Sequence, residues 1–118
     1  MSRQAYEKAG RRAETLAVWY LRVKGYYILS RRYKTKAGEI DIIAVRGKIV
    51  AIVEVKQRET REAAEASLTT LAEKRISTAA EVFLSRTPSV QNKDMRFDLI
   101  FIIGRWRIFH IPDAWRDY

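Results

Sequence analysis

The chain of 118 residues has no cysteine, one histidine and two prolines. Without thiols there is no disulfide, no thiolate zinc site and no cysteine nucleophile. The single imidazole, His110, lies in the apolar run IFHIPDAW, and with no second His or Cys to complete a ligand set it reads as structural. Long apolar runs are missing too. Nothing approaches the roughly 20 residues of a membrane span, and SRQAYEKAGRR near the start lacks the apolar core of a secretory signal. A cytoplasmic protein with no membrane partner is expected. Its length suits one domain, residues 1–118, large enough for a core and too short for two.

Acidic residues are scarce at one end. Residues 1–36 hold ten Lys or Arg against two Glu, whereas residues 37–118 hold thirteen against twelve, so nearly all of the net +9 belongs to the first third. A basic segment of this kind suits a polyanion, because each phosphate contact releases counterions. Tyr26, Tyr27 and Tyr33 interleave with it and offer rings for unpaired bases.

Against this basic background stands GEIDIIAVRGKIVAIVEVK, residues 38–56. Alternate residues of a strand share a face, so Glu39 pairs with Asp41 and Glu54 with Lys56. A two-residue loop at Arg46–Gly47 would set Asp41 opposite Ile52 and Glu39 opposite Glu54. All four charges would then share one face, with Asp41 and Glu54 diagonal neighbours roughly 7–8 Å apart. Ile43, Val45, Val50 and Ile52 share that face, while Ile40, Ile42, Ala44, Ile49, Ala51, Val53 and Val55 fill the other. A hairpin apolar on both sides belongs inside a sheet covered on both faces, and charges at its rim are costly unless paired or bound to metal. A solvated Glu–Lys pair at a strand end is the bland reading of any ExK tripeptide. The upstream Asp and the basic chain favour a metal site.

Elsewhere the spacing of Ala9, Ala13, Leu16, Ala17, Tyr20 and Leu21 predicts a helix from about residue 3 to Lys24, ended by Gly25. YYILSRRY reads as a strand, TKAG as a turn, and 63–86 as a helix with Leu68, Ala72, Ile76, Ala79 and Phe83 on one stripe. Thr87 to Asp94 reads as a loop, and RFDLIFIIG and WRIFHIP as two last strands. This order predicts an α/β fold, a mixed central β-sheet flanked by helices, with Glu14 of the first helix near the carboxylates.

With GEIDIIA, VEVKQR, RFD and the terminal HIP on the page, the chain resembles the YraN-like family. That uncharacterised family of small prokaryotic proteins is assigned to the PD-(D/E)XK restriction-endonuclease-like superfamily. The resemblance implies a restriction-endonuclease-like fold. It makes Asp41 and Glu54 metal-binding carboxylates, Lys56 the lysine beside the attacking water, and Glu39 an extra acidic residue. Glu14 matches a first-helix Glu of the similar archaeal Holliday-junction resolvases. Lys74 and Arg75 stand in for a second-helix Lys where this chain has Ala72.

The reaction this implies is hydrolysis of phosphodiester bonds, in structured or branched DNA, by a Mg²⁺- or Mn²⁺-dependent endonuclease. Asp41, Glu54 and the Val55 carbonyl would hold the ion. Arg11, Arg12, Arg31, Arg32, Lys34, Lys36, Arg58, Lys74 and Arg75 are the expected nucleic-acid contacts. A homodimer would suit a two-strand substrate. The alternatives are a catalytically inactive or partner-dependent DNA-binding module of the same fold, and a structural protein with an anionic partner.

Overall fold

The computed structural model describes residues 2–67 and 69–115. Helix α1, Arg3–Val23, starts at Ser2, whose hydroxyl accepts the Ala5 N–H at 3.1 Å. Ala13, Ala17, Val18 and Leu21 form its buried stripe; the side chain of Ala9 lies outside the described residues. At its end Gly25 takes φ +92°, the Gly25 N–H reaches the Arg22 carbonyl at 3.0 Å, and the Tyr26 N–H reaches Leu21 at 2.9 Å. This is a Schellman-type stop, which requires a left-handed residue at the position glycine occupies.

Five strands follow: β1 Tyr27–Lys34, β2 Glu39–Arg46, β3 Ile49–Arg58, β4 Asp94–Ile103 and β5 Arg107–Trp115. They form one sheet in the order β1-β2-β3-β4-β5, antiparallel except for the parallel pair β3–β4. A parallel pair needs a long crossover, and helices α2 (Arg61–Ala66) and α3 (Thr70–Arg86) supply it. The fold is therefore the expected α/β arrangement of a mixed sheet between helices, consistent with a restriction-endonuclease-like fold.

One helix over 63–86 was the expectation, and two are found. Thr60 and Thr69 each accept an N–H three residues on, from Ala63 and Ala72, both at 3.1 Å. The second threonine starts a new helix inside the periodic stretch. Leu68, placed on that stripe by its spacing, lies outside the described residues. The 87–94 loop also contains a 3₁₀ turn, Pro88–Val90, that buries Val90.

The two faces of the sheet are separate cores. Ile42, Ala44, Ala51, Val53, Ile100 and Ile102 pack under α1. Ile43, Val50, Ile52 and Phe97 pack with Ile76, Ala79, Ala80 and Phe83 of α3. Leu99, Phe101 and Ile103 close with Ala64 of α2. Ile40 departs from the expected alternation: it joins Ile43, not Ile42. The pleat of β2 is thus broken between them, at Asp41.

One polar group lies wholly inside. Asp98, fully buried on β4, receives Arg96 Nε and Nη2 at 2.7 Å each, meets His110 Nε2 at 2.8 Å, and accepts the Asp113 N–H at 3.0 Å. Arg96 Nη2 also donates to the Tyr26 hydroxyl at 2.6 Å, which ties β4 and β5 to the chain leaving α1. Burial opposes ionisation of Asp98, but the His110, Arg96 and Asp113 hydrogen bonds outweigh it and hold the carboxyl below its ordinary value. Its stabilising contribution is therefore present above the unfolded carboxylate pKa and is lost as pH falls through the folded value. Asp98→Ala leaves Arg96 without its partner and should lower stability by about 3–5 kcal/mol, measured as a shift of the urea midpoint at pH 7. The deficit of Asp98→Asn should begin to narrow below about pH 4, where the unfolded carboxylate protonates, and should go on narrowing as pH falls through the lower folded value.

Candidate active site where strands β2 and β3 part

The β2–β3 ladder runs from Arg46–Ile49 to Ile42–Val53. Its loop is thus Gly47–Lys48, not Arg46–Gly47. Gly47, at φ +59°, occupies the first central position, where a hairpin turn of the favoured hand needs a positive φ. A register shift of two residues preserves faces along the ladder, but the ladder ends at Ile42–Val53, so neither Asp41 nor Glu39 is paired with β3 in the way the expected register sets them.

Beyond Ile42–Val53 the two strands separate. The Val55 N–H, free of the β2 backbone there, donates to Asp41 Oδ2 at 2.8 Å. This bond holds the carboxylate in the gap between the strands. Burial raises the Asp41 pKa to about 6; the Val55 hydrogen bond and Lys56 oppose the shift, while the charges of Glu54 and Glu14 add to it. Carboxylates from α1 and β3 thus both bear on Asp41 of β2. Glu54 is buried, its Oε1 lies 2.9 Å from Lys56 Nζ, and its Oε2 is buried with no hydrogen-bond partner. An orphaned carboxylate oxygen of this kind is costly without a donor or cation.

Glu14, also buried, is held from outside the gap. Arg32 Nε contacts its two oxygens at 3.2 and 3.1 Å, and Arg31 Nε lies 3.4 Å away. Arg32 sits at φ +54°, a backbone conformation disfavoured for a side chain with Cβ. No signal in the sequence announces this clamp: the distant pairing of 14 with 31 and 32 follows from how α1 lies on the sheet.

An open cleft of ≈ 470 Å³ joins these groups, lined by Gly10, Arg11, Glu14, Arg32, Lys34, Glu39, Asp41 and Val55. Of the basic residues expected to meet nucleic acid, Arg11, Arg32 and Lys34 reach it. Arg12 is exposed on α1 outside the lining, and Lys36 lines a neighbouring groove with Lys34 and Arg86. Arg75 packs beside the turn before β2, where a Cβ added at Gly38 would lie 3.1 Å from Arg75 Cβ; Lys74 and Arg75 are both exposed. Arg58 turns back to the Gln57 carbonyl at 2.7 Å.

Among the described residues no group of three or more His, Cys, Asp or Glu side chains is placed to hold a metal ion. No helix is long and apolar enough to cross a membrane.

Asp41→Asn keeps the acceptor for Val55 and removes a charge the fold disfavours. Because the folded pKa lies above the unfolded one, the ionised wild type loses stability as pH rises from about 4 to about 6. The variant should be more stable at pH 7 by an amount on the order of 2–3 kcal/mol. Thermal melts at pH 4 and pH 7 check this: a gain confined to the higher pH is expected.

Comparison with known proteins places this geometry among relatives. The model of the family described as "Uncharacterised protein family UPF0102" matches residues 13–102. A UPF0102 protein of Parvibaculum lavamentivorans is 46% identical over 109 residues, covering 92% of this chain and 82% of its own. One from Paramagnetospirillum magneticum is 46% identical over 118 residues, covering 96% and 91%. One from Bartonella tribocorum is 50% identical over 104 residues, covering 87% and 79%.

Proposed function

The chain belongs to the uncharacterised protein family UPF0102, a description that names no reaction, and we propose from its site that it is a metal-dependent nuclease acting on structured or branched DNA. The observation that carries this reading is the meeting of Asp41, Glu54 and Lys56 beside a cleft edged by Arg11, Arg32 and Lys34. An aspartate whose ionisation two neighbouring carboxylates oppose, beside a buried glutamate oxygen left unpartnered, fits a hard cation better than it fits an empty core. Asp41, Glu54 and the Val55 carbonyl would hold Mg²⁺ or Mn²⁺, which when bound polarises a phosphate oxygen and a water.

The remaining work falls to the chain's own groups. Lys56, anchored on Glu54 Oε1, would orient the attacking water and balance charge building on the phosphate. Glu39, exposed and lining the cleft, would accept a proton from water. Glu14, clamped by Arg31 and Arg32, acts as a positioning residue: its charge raises the Asp41 pKa, while its arginines present cations at the cleft mouth. A strand backbone would be drawn in by these cations, without base readout.

A binding module that kept the fold without turnover is favoured by one observation, the lack of a three-residue ligand group among the described residues. Incubating labelled four-way-junction, flap, single-stranded and duplex DNA with Mn²⁺ or Mg²⁺ separates the two. Cleavage by wild type, lost at least 100-fold in Glu54→Ala with binding retained, is the expected result. Binding by both proteins with cleavage by neither would establish the module instead. Affinity should also fall steeply between 50 and 200 mM salt.

A further inference from the structure

A second concave site lies on the α1 face of the sheet, away from the carboxylates. It is a pocket of ≈ 280 Å³ lined by Tyr20, Lys24, Tyr26, Arg46, Arg96 and His110, with Pro112 at its edge. Its cations are held in place. Arg46 stacks over the Tyr26 ring at 4.6 Å and donates through Nη1 to the Lys24 carbonyl at 3.2 Å. Lys24 Nζ lies 5.7 Å over the Tyr20 ring. Beneath them the His110 ring meets Tyr20 and Tyr26 edge-on, at 5.6 and 6.4 Å between centroids.

The charges there do not balance. Arg96 is answered by Asp98 in a two-point ion pair, whereas neither Lys24 nor Arg46 has a carboxylate partner among the described residues. Two exposed cations, fixed by aromatic faces at the mouth of a pocket with a satisfied polar floor, form a preorganised anion site. A guanidinium fork beside a point-charge ammonium matches a phosphate group.

Helix α1 sets the distance from this pocket to the carboxylate cleft. Gly10, Arg11 and Glu14 line the cleft and Tyr20 and Lys24 line the pocket. Ten residues separate Glu14 from Lys24, about 15 Å at 1.5 Å per residue. Successive phosphates of one strand lie farther apart than the ~3.4 Å axial rise, because the strand also winds about the axis, so this distance spans only a few phosphates.

We propose that this pocket binds a phosphate group, and that when DNA crosses the carboxylate cleft the phosphate belongs to the same strand, a few nucleotides from the point of attack. The second clause rests on the nuclease reading; the first does not.

The test has two arms. In the first, His110 ring signals are followed by NMR while inorganic phosphate is added to wild type and to the Lys24→Gln/Arg46→Gln double variant, with Lys24→Gln alone as a milder control of folding. Saturable shifts in wild type, weakened in the single variant and absent in the double, are expected; no saturable shift in wild type overturns the site. In the second, the salt dependence of binding to a labelled DNA duplex is compared without added metal. The double variant should lower the slope of log affinity against log salt by about 1–2. Phosphate shifts with an unchanged DNA slope would assign the pocket to a free phosphate or nucleotide and overturn the strand assignment. If wild type binds no DNA, the nuclease reading and the strand assignment fall together, and the phosphate arm still decides the pocket.

Discussion

Strand β3 is buried on both faces from Val50 to Val53, and this burial constrains everything around it. A strand of that kind needs a neighbour on each side and a helix over each face. The antiparallel β2 comes through a two-residue turn, but the parallel β4 has to be reached by a long crossover, so α2 and α3 lie over one face and α1 over the other. With both faces covered, the charged side chains of β3 itself are confined to the strand's far end. That is where Glu54 and Lys56 sit, at the limit of the apolar layer.

The same limit explains why the acidic cluster is tense. Where β2 and β3 part, a backbone N–H loses its ladder partner and takes the Asp41 carboxylate instead. The bond offsets part of the cost of burial, but the charges of Glu54 and Glu14 add to that cost. Arg31 and Arg32 neutralise Glu14 from outside, and Lys56 neutralises half of Glu54 from within. What is left over is one buried carboxylate oxygen and one aspartate that ionises reluctantly, the local deficit that a cation would relieve.

The Asp98 network shows the opposite solution to the same problem. There a fully buried carboxylate has a donor for each oxygen, and its pKa is lowered although burial pushes it up. Two aspartates of one sheet, Asp41 on β2 and Asp98 on β4, differ in their partners and thus have opposite electrostatic roles. One consolidates the fold; the other holds a charge that its surroundings disfavour.

Much of this was legible in the order of residues. Alternation of apolar side chains announced β2 and β3, helical spacing announced α1, and GEIDIIA with VEVK marked the acidic group, because periodicity and short motifs are local properties of a chain. The split of the second helix was legible only in part: Thr69 is a capping residue, but the apolar spacing runs through it. The turn lies one residue beyond the expected place: Arg-Gly and Gly-Lys both offer a glycine, and the two registers, two residues apart, bury the same faces, so alternation does not distinguish them. The Glu14 clamp, the unpartnered oxygen of Glu54 and the pocket under Lys24 and Arg46 carry no local signal. They arise from contacts between residues far apart in the chain, set by how α1 lies across the sheet. The sequence alone determined which elements form and which residues carry charge near their ends, since those depend on near neighbours. Only the tertiary structure decided which charges meet and which stay unanswered, since that depends on distances through space.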